Sequence, residues 1–200
     1  MKSIFEMEER ELVYTAVLIF LSLGMIALVG DFTHYYWFEI EICYGVSVGP
    51  IFEEALKGGA LMLLFVILLH SLPNSRDRLT SKEAWLVGGA LAGLGFGLSE
   101  DWTTYSFSTA RVVPTLNHSA WTALVGLGIW TYMDAGVRWN VGKVGIPFAI
   151  AAVSHMVWNY HAYLVGKGEE DIVLSALSWA MTFAALVVVW RTELKFQQGS

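Results

Sequence analysis

The chain has 200 residues, of which 56% are hydrophobic and only 15% are charged, and its net charge is −6. Soluble globular domains carry roughly 25% charged residues, so this composition excludes an ordinary soluble domain and indicates a single all-α, polytopic membrane domain over residues 1–200. The basic residues form no dense cluster, which argues against nucleic acid as a partner. The single cysteine, Cys43, excludes an internal disulfide.

Six apolar segments approach the length of about 20 residues that a helix needs to cross a bilayer. They lie near residues 12–30, 51–70, 84–105, 118–133, 144–164 and 172–190. Between the first two, an acidic and aromatic-rich stretch predicts an interfacial segment rather than a further span. We therefore predict a bundle of about six transmembrane helices surrounded by lipid.

The lysine and arginine residues predict the orientation of this bundle. With six spans, nine of them fall in loops and tails on the side of the N-terminus, whereas only Arg111 and Lys167 fall in loops on the other side. Because positively charged loops stay in the cytoplasm, we predict that both termini are cytoplasmic. A multi-pass protein of a prokaryotic plasma membrane fits this pattern.

Several ionisable or polar residues interrupt the apolar segments. A charged group at mid-bilayer costs about 2.5–3.5 kcal/mol, so it is expected to face a protein interior and to have a function. The residues are Glu53, Glu54 and Lys57 at the start of the second segment, Glu100 and Asp101 at the end of the third, His118 in the fourth, and His155 and Asn159 in the fifth. Because consecutive spans alternate in direction, we expect these groups to meet near the extracytoplasmic side. Each taken alone also fits an interfacial boundary or an interhelical hydrogen bond.

Such a set has the groups that a hydrolytic site requires. A carboxylate takes a proton from water, a histidine positions that water, and amide or imidazole donors stabilise an oxyanion. Two histidines with a glutamate also form a zinc ligand set, which would here be drawn from His118, His155, and Glu100 or Glu54. The chain lacks the HExxH motif, the GxSxG motif and paired aspartates within its spans, which disfavours other classes of intramembrane protease.

Four motifs in order resemble those of the PrsW family of intramembrane proteases. "FEEALK" resembles its EExxK motif, "GFGLSE" its FxxxE-like block, "RVVPTLNHSAWTALVGLG" its Arg-then-HxxxTxxxG block, and "SHMVWN" its HxxxN motif. The resemblance covers about residues 50–160 and implies membership of the superfamily of CAAX proteases and bacteriocin-processing enzymes. Lys57 stands where CAAX proteases carry arginine, which disfavours a prenylated substrate, and Asp101 stands where PrsW relatives usually carry asparagine.

The resemblance also implies roles for individual residues. Glu53 and Glu54 would be the catalytic pair, His118 would assist the water, and His155 with Asn159 would form an oxyanion hole. Three further residues would support them: Glu100 as a ligand or an acceptor, and Lys57 and Arg111 as partners of the carboxylates.

We therefore expect a glutamate-type endopeptidase that cleaves a single-span or otherwise membrane-anchored protein near the extracytoplasmic boundary. We expect a site without a cofactor rather than a zinc site, because Asn159 beside His155 suits an oxyanion donor better than a metal ligand. Two alternatives from other classes stay open. One is a non-catalytic membrane scaffold or binding subunit that retains a polar pocket. The other is a small-solute transporter, although the chain has no internal repeat of the kind that many transporters show.

Overall fold

The computed structural model describes residue 46 and residues 48–102, 107–134, 141–169 and 171–197. Every regular element in these parts of the chain is a helix, which confirms the all-α prediction. The predicted first span, residues 12–30, and most of the interfacial segment that follows it lie outside the described residues.

Five long helices make up the described fold. They are α1 (Gly49–Ser71), α2 (Lys82–Glu100), α3 (Val112–Asp134), α4 (Val141–Gly166) and α5 (Ile172–Gln197). A 3₁₀ turn (Pro73–Ser75) and a four-residue helix (Arg76–Leu79) connect α1 to α2, and a second 3₁₀ turn (Thr109–Arg111) leads into α3. The helices overlap the last five predicted segments, and α3 begins well before the predicted residue 118.

A helix that crosses a membrane must be both long enough and apolar enough. Among the described residues, no helix meets both requirements for crossing a membrane. The predicted count of six spans therefore finds no support in these helices.

Polar side chains cap two of the helix starts. At the start of α2, the Ser81 hydroxyl accepts a hydrogen bond from the Ala84 amide at 3.2 Å. At the start of α5, Asp171 Oδ1 accepts hydrogen bonds from the amides of Val173 at 2.8 Å and Leu174 at 3.1 Å. Such caps satisfy amides that have no partner within the helix, so these short polar signals fix where α2 and α5 begin.

A row of glycines lets α2 and α3 approach each other closely. Gly89, Gly93 and Gly97 are four residues apart and therefore lie on one face of α2. A Cβ at Gly93 would collide with the carbonyl oxygen of His118, and one at Gly97 would lie 2.9 Å from Thr115 Cα. Small residues allow this kind of close helix contact. The glycines thereby bring the His118 turn of α3 against the C-terminal half of α2.

An apolar core packs α1 against the α2–α3 pair. Phe65 of α1 stacks on Trp85 of α2 with ring centroids 4.0 Å apart. Leu61, Leu124 and Ala151 are buried in the same cluster, so α1, α3 and α4 all contribute to it. The core holds the start of α1 in place next to α3 and α4, where the polar residues of these helices meet.

Candidate active site

Three charged residues of the first turns of α1 share one face of the helix. Glu54 and Lys57 are both 0% exposed, whereas the Glu53 side chain is 16% exposed. Lys57 Nζ lies 2.8 Å from Glu54 Oε1 and 3.5 Å from Glu53 Oε2. A buried charge is tolerated only when it is paired, so the three-residue spacing of Glu54 and Lys57 provides a local ion pair. Both carboxylates neighbour the ammonium, as the resemblance implies.

His118 of α3 connects this ion pair to the end of α2. Lys57 Nζ lies 3.0 Å from His118 Nδ1, and His118 Nε2 lies 3.1 Å from Glu100 Oε2. An ammonium group can only donate, so His118 Nδ1 is the acceptor. The proton of the neutral ring is therefore assigned to Nε2, which donates to Glu100.

His155 of α4 reaches the same place from the opposite side. Its Nδ1 lies 3.2 Å from Glu54 Oε1, and its Nε2 lies 3.7 Å from Glu53 Oε2. Because an ionised carboxylate only accepts, the proton is assigned to Nδ1, and the lone pair of Nε2 faces Glu53. Trp121 stacks on the His155 ring at a centroid distance of 4.5 Å and fixes its plane.

We refer to Glu53, Glu54, Lys57, His118 and His155 as the buried cluster. Its two glutamates differ in their hydrogen bonds. Glu54 Oε1 is bound by Lys57 and His155, and Glu54 Oε2 accepts from the Thr122 hydroxyl at 3.4 Å. Glu53 Oε2 is also buried, but among the described residues it has no hydrogen-bond partner. Buried polar atoms are rarely left in this state, so Glu53 Oε2 marks a place for a water molecule, a metal or a substrate group.

A second polar group lies beside the buried cluster, where α2 ends and α3 begins. Arg111 Nη2 donates to Glu100 Oε2 at 2.9 Å, and Arg111 Nε donates to Asp101 Oδ1 at 2.6 Å. The Thr115 hydroxyl donates to Asp101 Oδ2 at 2.8 Å. We refer to Glu100, Asp101, Arg111 and Thr115 as the Arg111 network. It fixes the carboxylate that accepts the proton of His118.

The charge of Arg111 is secured by its partners. Partial burial acts to lower the pKa of the guanidinium, but the hydrogen bond to Asp101 and the negative charge of Glu100 outweigh it and raise the pKa above its ordinary value. Arg111 therefore stays positively charged over the whole working range of pH.

Three groups of the buried cluster fit a metal ion. Glu53, His118 and His155 each offer one ligand atom, and these atoms lie within 4.8 Å of one another. One glutamate with two histidines is a ligand set of catalytic zinc. Each histidine also has its other nitrogen next to a carboxylate, as metal-bound histidines usually do. Glu53 Oε2, which accepts no hydrogen bond from the described residues, agrees with this fit, whereas the contacts of Lys57 with Glu53 Oε2 and His118 Nδ1 oppose it.

The carboxylate that could bind a metal together with the two histidines is not one of those expected from the sequence. The sequence analysis named Glu54 or Glu100 as the candidate ligand, but the structure places Glu53 there. Glu54 instead contacts Nδ1 of His155, and Glu100 contacts Nε2 of His118. Adjacent residues of a helix point about 100° apart, so neither spacing nor residue type reveals which glutamate faces the histidines.

Asn159 lies four residues after His155 on α4 and is half-buried. It therefore shares the helix face of His155, one turn further along. Its role in an oxyanion hole stays a prediction.

Sequence reasoning gave no role to three residues that contact the predicted site. Trp121 and Thr122 follow His118 by three and four residues, so the helical period was a signal for both. Thr122 is also the threonine of the HxxxTxxxG block, so the motif was a second signal for it. Thr115 precedes His118 by three residues, and its contact with Asp101 depends on how α2 ends.

The chain was also compared with known proteins. The model of a family described as PrsW family intramembrane metalloprotease matches residues 10–190. No curated protein and no solved structure matches the chain. The match extends on both sides of the region that carries the four motifs, while the wider placement among CAAX proteases stays a prediction. Over nearly its whole length, the chain belongs to the PrsW family of intramembrane metalloproteases.

Proposed function

We propose that this protein is an intramembrane endopeptidase in which Glu53 activates the water that attacks a peptide bond. The observation that carries the proposal is Oε2 of Glu53, which is buried and accepts no hydrogen bond in the described part of the chain. It lies 3.5 Å from Lys57 Nζ and 3.7 Å from His155 Nε2. A water molecule bridging Glu53 Oε2 and His155 Nε2 would donate one hydrogen bond to each. Glu54, with both oxygens already bound, is left to orient His155.

The reaction follows from these positions. As the water oxygen bonds to the carbonyl carbon of the substrate, one water proton moves to Glu53, and the electron pair of the C=O double bond moves to the carbonyl oxygen. The tetrahedral intermediate then collapses, the C–N bond breaks, and Glu53 returns the proton to the leaving nitrogen. Proton transfer of this kind contributes about 100- to 10,000-fold to the rate.

The proton of His155 is assigned to Nδ1, which changes the oxyanion-hole role that the resemblance implies for this residue. With its proton directed at Glu54, the Nε2 atom of His155 accepts rather than donates, so in this proposal it holds the water. Asn159 then remains as the donor to the oxyanion, because its amide group has two N–H bonds. His118 acts through Lys57 and Glu100, both of which it contacts.

Glu53, His118 and His155 have the residue types of a metal site, although Lys57 occupies the lone pair of His118 Nδ1. A divalent ion held by Glu53, His118 and His155 would act as a Lewis acid on the peptide carbonyl. Our proposal for this chain remains a glutamate-type site without a metal. The family description includes the word metalloprotease, so the metal content of the purified protein requires its own measurement.

We further propose the membrane arrangement expected from the sequence, with about six spans, cytoplasmic termini and a prokaryotic plasma membrane. The family description supports an intramembrane location. The outer face of α1 also supports apolar surroundings, because Met62, Leu63 and Val66 are about half exposed. The substrate would be a single-span or membrane-anchored protein that is cut near the extracytoplasmic boundary.

The test is cleavage of a single-span reporter by the purified full-length protein, with the cut position determined by mass spectrometry. We expect Glu53→Gln to lower the rate by about 100-fold or more, and His155→Ala and Glu54→Gln to lower it as well. Glu169→Gln, at an exposed position, is the matched control and should cleave like the wild type. Unchanged rates in all three cluster variants would reject the mechanism.

Two other outcomes would favour the alternatives from other classes. A stable complex with other membrane chains and no turnover would indicate a scaffold or binding subunit. Solute flux into proteoliposomes, abolished by Glu53→Gln, would indicate a transporter.

A further inference from the structure

Lys57 occupies a central position in the buried cluster. Its ammonium group lies 2.8 Å from Glu54 Oε1, 3.0 Å from His118 Nδ1 and 3.5 Å from Glu53 Oε2. It also lies over the ring of Phe96, 3.8 Å from the centroid. The side chain has no exposed surface. Lys57 is therefore a buried cation that contacts two of the three residues that could bind a metal.

The contact with His118 decides what a metal ion would have to displace. A metal needs a nitrogen lone pair, and both nitrogens of His118 are engaged, Nδ1 by Lys57 and Nε2 by Glu100. One lone pair cannot accept a proton donor and bind a metal at the same time. The Glu100 side is held by Arg111 at 2.9 Å, so Nδ1 is the nitrogen that would have to be released, and with it Lys57.

The positive charge of Lys57 also opposes the binding of a divalent metal ion. Lys57 already offsets negative charge from Glu53 and Glu54, which are the carboxylates nearest to it. A divalent ion bound by Glu53 would lie within a few ångströms of the ammonium, where little water separates the two and their repulsion is weakly screened.

We propose that Lys57 is the resident cation of the buried cluster and that it excludes divalent metal ions from the Glu53, His118 and His155 site. The cluster of the wild-type chain then works with the ammonium where other sites of this composition work with zinc. The inference concerns the same site as the proposed protease, but it does not depend on peptide cleavage, because it is tested by metal binding.

The experiment measures the zinc and cobalt content and affinity of the purified full-length protein, by calorimetry and by elemental analysis after dialysis. The variants are Lys57→Gln and, as the matched control, Lys82→Gln, because Lys82 contacts Trp130 rather than the cluster. Groups that neighbour metal ligands change metal affinity by about 10- to 100-fold, so we expect Lys57→Gln to bind one zinc at least about tenfold more tightly. The gain should disappear in the double variants with Glu53→Gln or His155→Ala, and cobalt absorption should report the histidine ligands.

A wild-type protein that retains one metal ion per chain after dialysis against a chelator would overturn the proposal. Zinc binding by Lys57→Gln that is no tighter than by the wild type would overturn it too. If Lys57→Gln does not fold, Lys57→Arg provides the second variant. It keeps the buried positive charge and should bind zinc no more tightly than the wild type, and tighter binding would contradict the proposal. None of these readouts requires the protein to be a protease, so a failure here is distinguishable from a failure of the proposed function.

Discussion

The buried cluster and the Arg111 network are neighbours with similar residues, yet their hydrogen bonds differ. In the Arg111 network, one guanidinium binds both Glu100 and Asp101, and Thr115 binds the second oxygen of Asp101. In the buried cluster, one ammonium is shared by two carboxylates and a histidine, and Glu53 Oε2 has no hydrogen bond among the described residues. The first group is suited to hold its members in place. The second contains a carboxylate oxygen, Glu53 Oε2, that is ion-paired with Lys57 but can still accept a hydrogen bond from water or substrate.

The largest expected effect is a difference in the free energy of unfolding between variants of the two glutamates of the buried cluster. Glu54→Gln removes the charge nearest to the buried Lys57, and breaking a buried ion pair costs about 3–5 kcal/mol in the free energy of unfolding. Glu53→Gln should cost less, because its Oε2 has no hydrogen bond and its side chain is partly exposed. Denaturant unfolding in detergent measures the loss of stability in both variants. Equal destabilisation would show that Glu53 is as firmly paired as Glu54.

The next effect tests whether the Arg111 network positions His118. Arg111→Gln removes the ion pairs of the guanidinium with Glu100 and Asp101, so Glu100 loses a group that holds it. Misplacing a catalytic group by about 1 Å can cost up to about 100-fold in rate, so kcat should fall within that range while KM changes little. Arg111→Lys should restore only part of the rate, because lysine lacks the second donor in a fixed plane. A normal kcat in Arg111→Gln would separate the network from catalysis.

A smaller effect tests the contact of α2 with α3, which places His118 between the two groups. Gly93→Ala would push a Cβ into the carbonyl oxygen of His118, whereas a Cβ at Gly59 meets nothing within 4 Å. We expect Gly93→Ala to lower the free energy of unfolding by about 1–3 kcal/mol and to reduce activity. Gly59→Ala is the matched control and should be neutral or stabilising by up to about 1 kcal/mol. Similar losses in both variants would refute the close approach.

The smallest effect belongs to one hydrogen bond of the Arg111 network. Thr115→Val removes the donor to Asp101 Oδ2 and keeps the shape of the side chain. Arg111 still binds Asp101, so we expect a loss of about 1 kcal/mol in the free energy of unfolding and little change in activity. Thr131→Val, which removes a hydroxyl that bonds only to the backbone of its own helix in the described structure, provides the comparison. A much larger loss in Thr115→Val would place Thr115 closer to the chemistry than its contacts indicate.

Part of the site could be predicted from the sequence because its residues carry a free-energy cost within apolar segments. Glu53, Glu54, His118 and His155 interrupt apolar helices, and an ionisable group in such a place needs a partner or a function. The same cost pointed to Glu100, whereas Arg111, which falls in a predicted loop, was expected only from the family resemblance. This cost did not reveal Thr115, because threonine is common in helices and its hydroxyl has many alternative acceptors.

The sequence by itself predicted that the described part of the chain is helical, approximately where its five long helices lie, and that polar residues of different helices would meet. Long apolar segments indicate such helices, and an ionisable group within them needs a partner or a function. The tertiary structure decided that Glu53 Oε2 accepts no hydrogen bond from the described residues, that Lys57 donates to His118, and that Arg111 joins Glu100 to Asp101. These contacts depend on the rotation and spacing of packed helices. The glycines of α2 set part of that spacing, and a rotation of 100° about a helix axis exchanges one glutamate for the next.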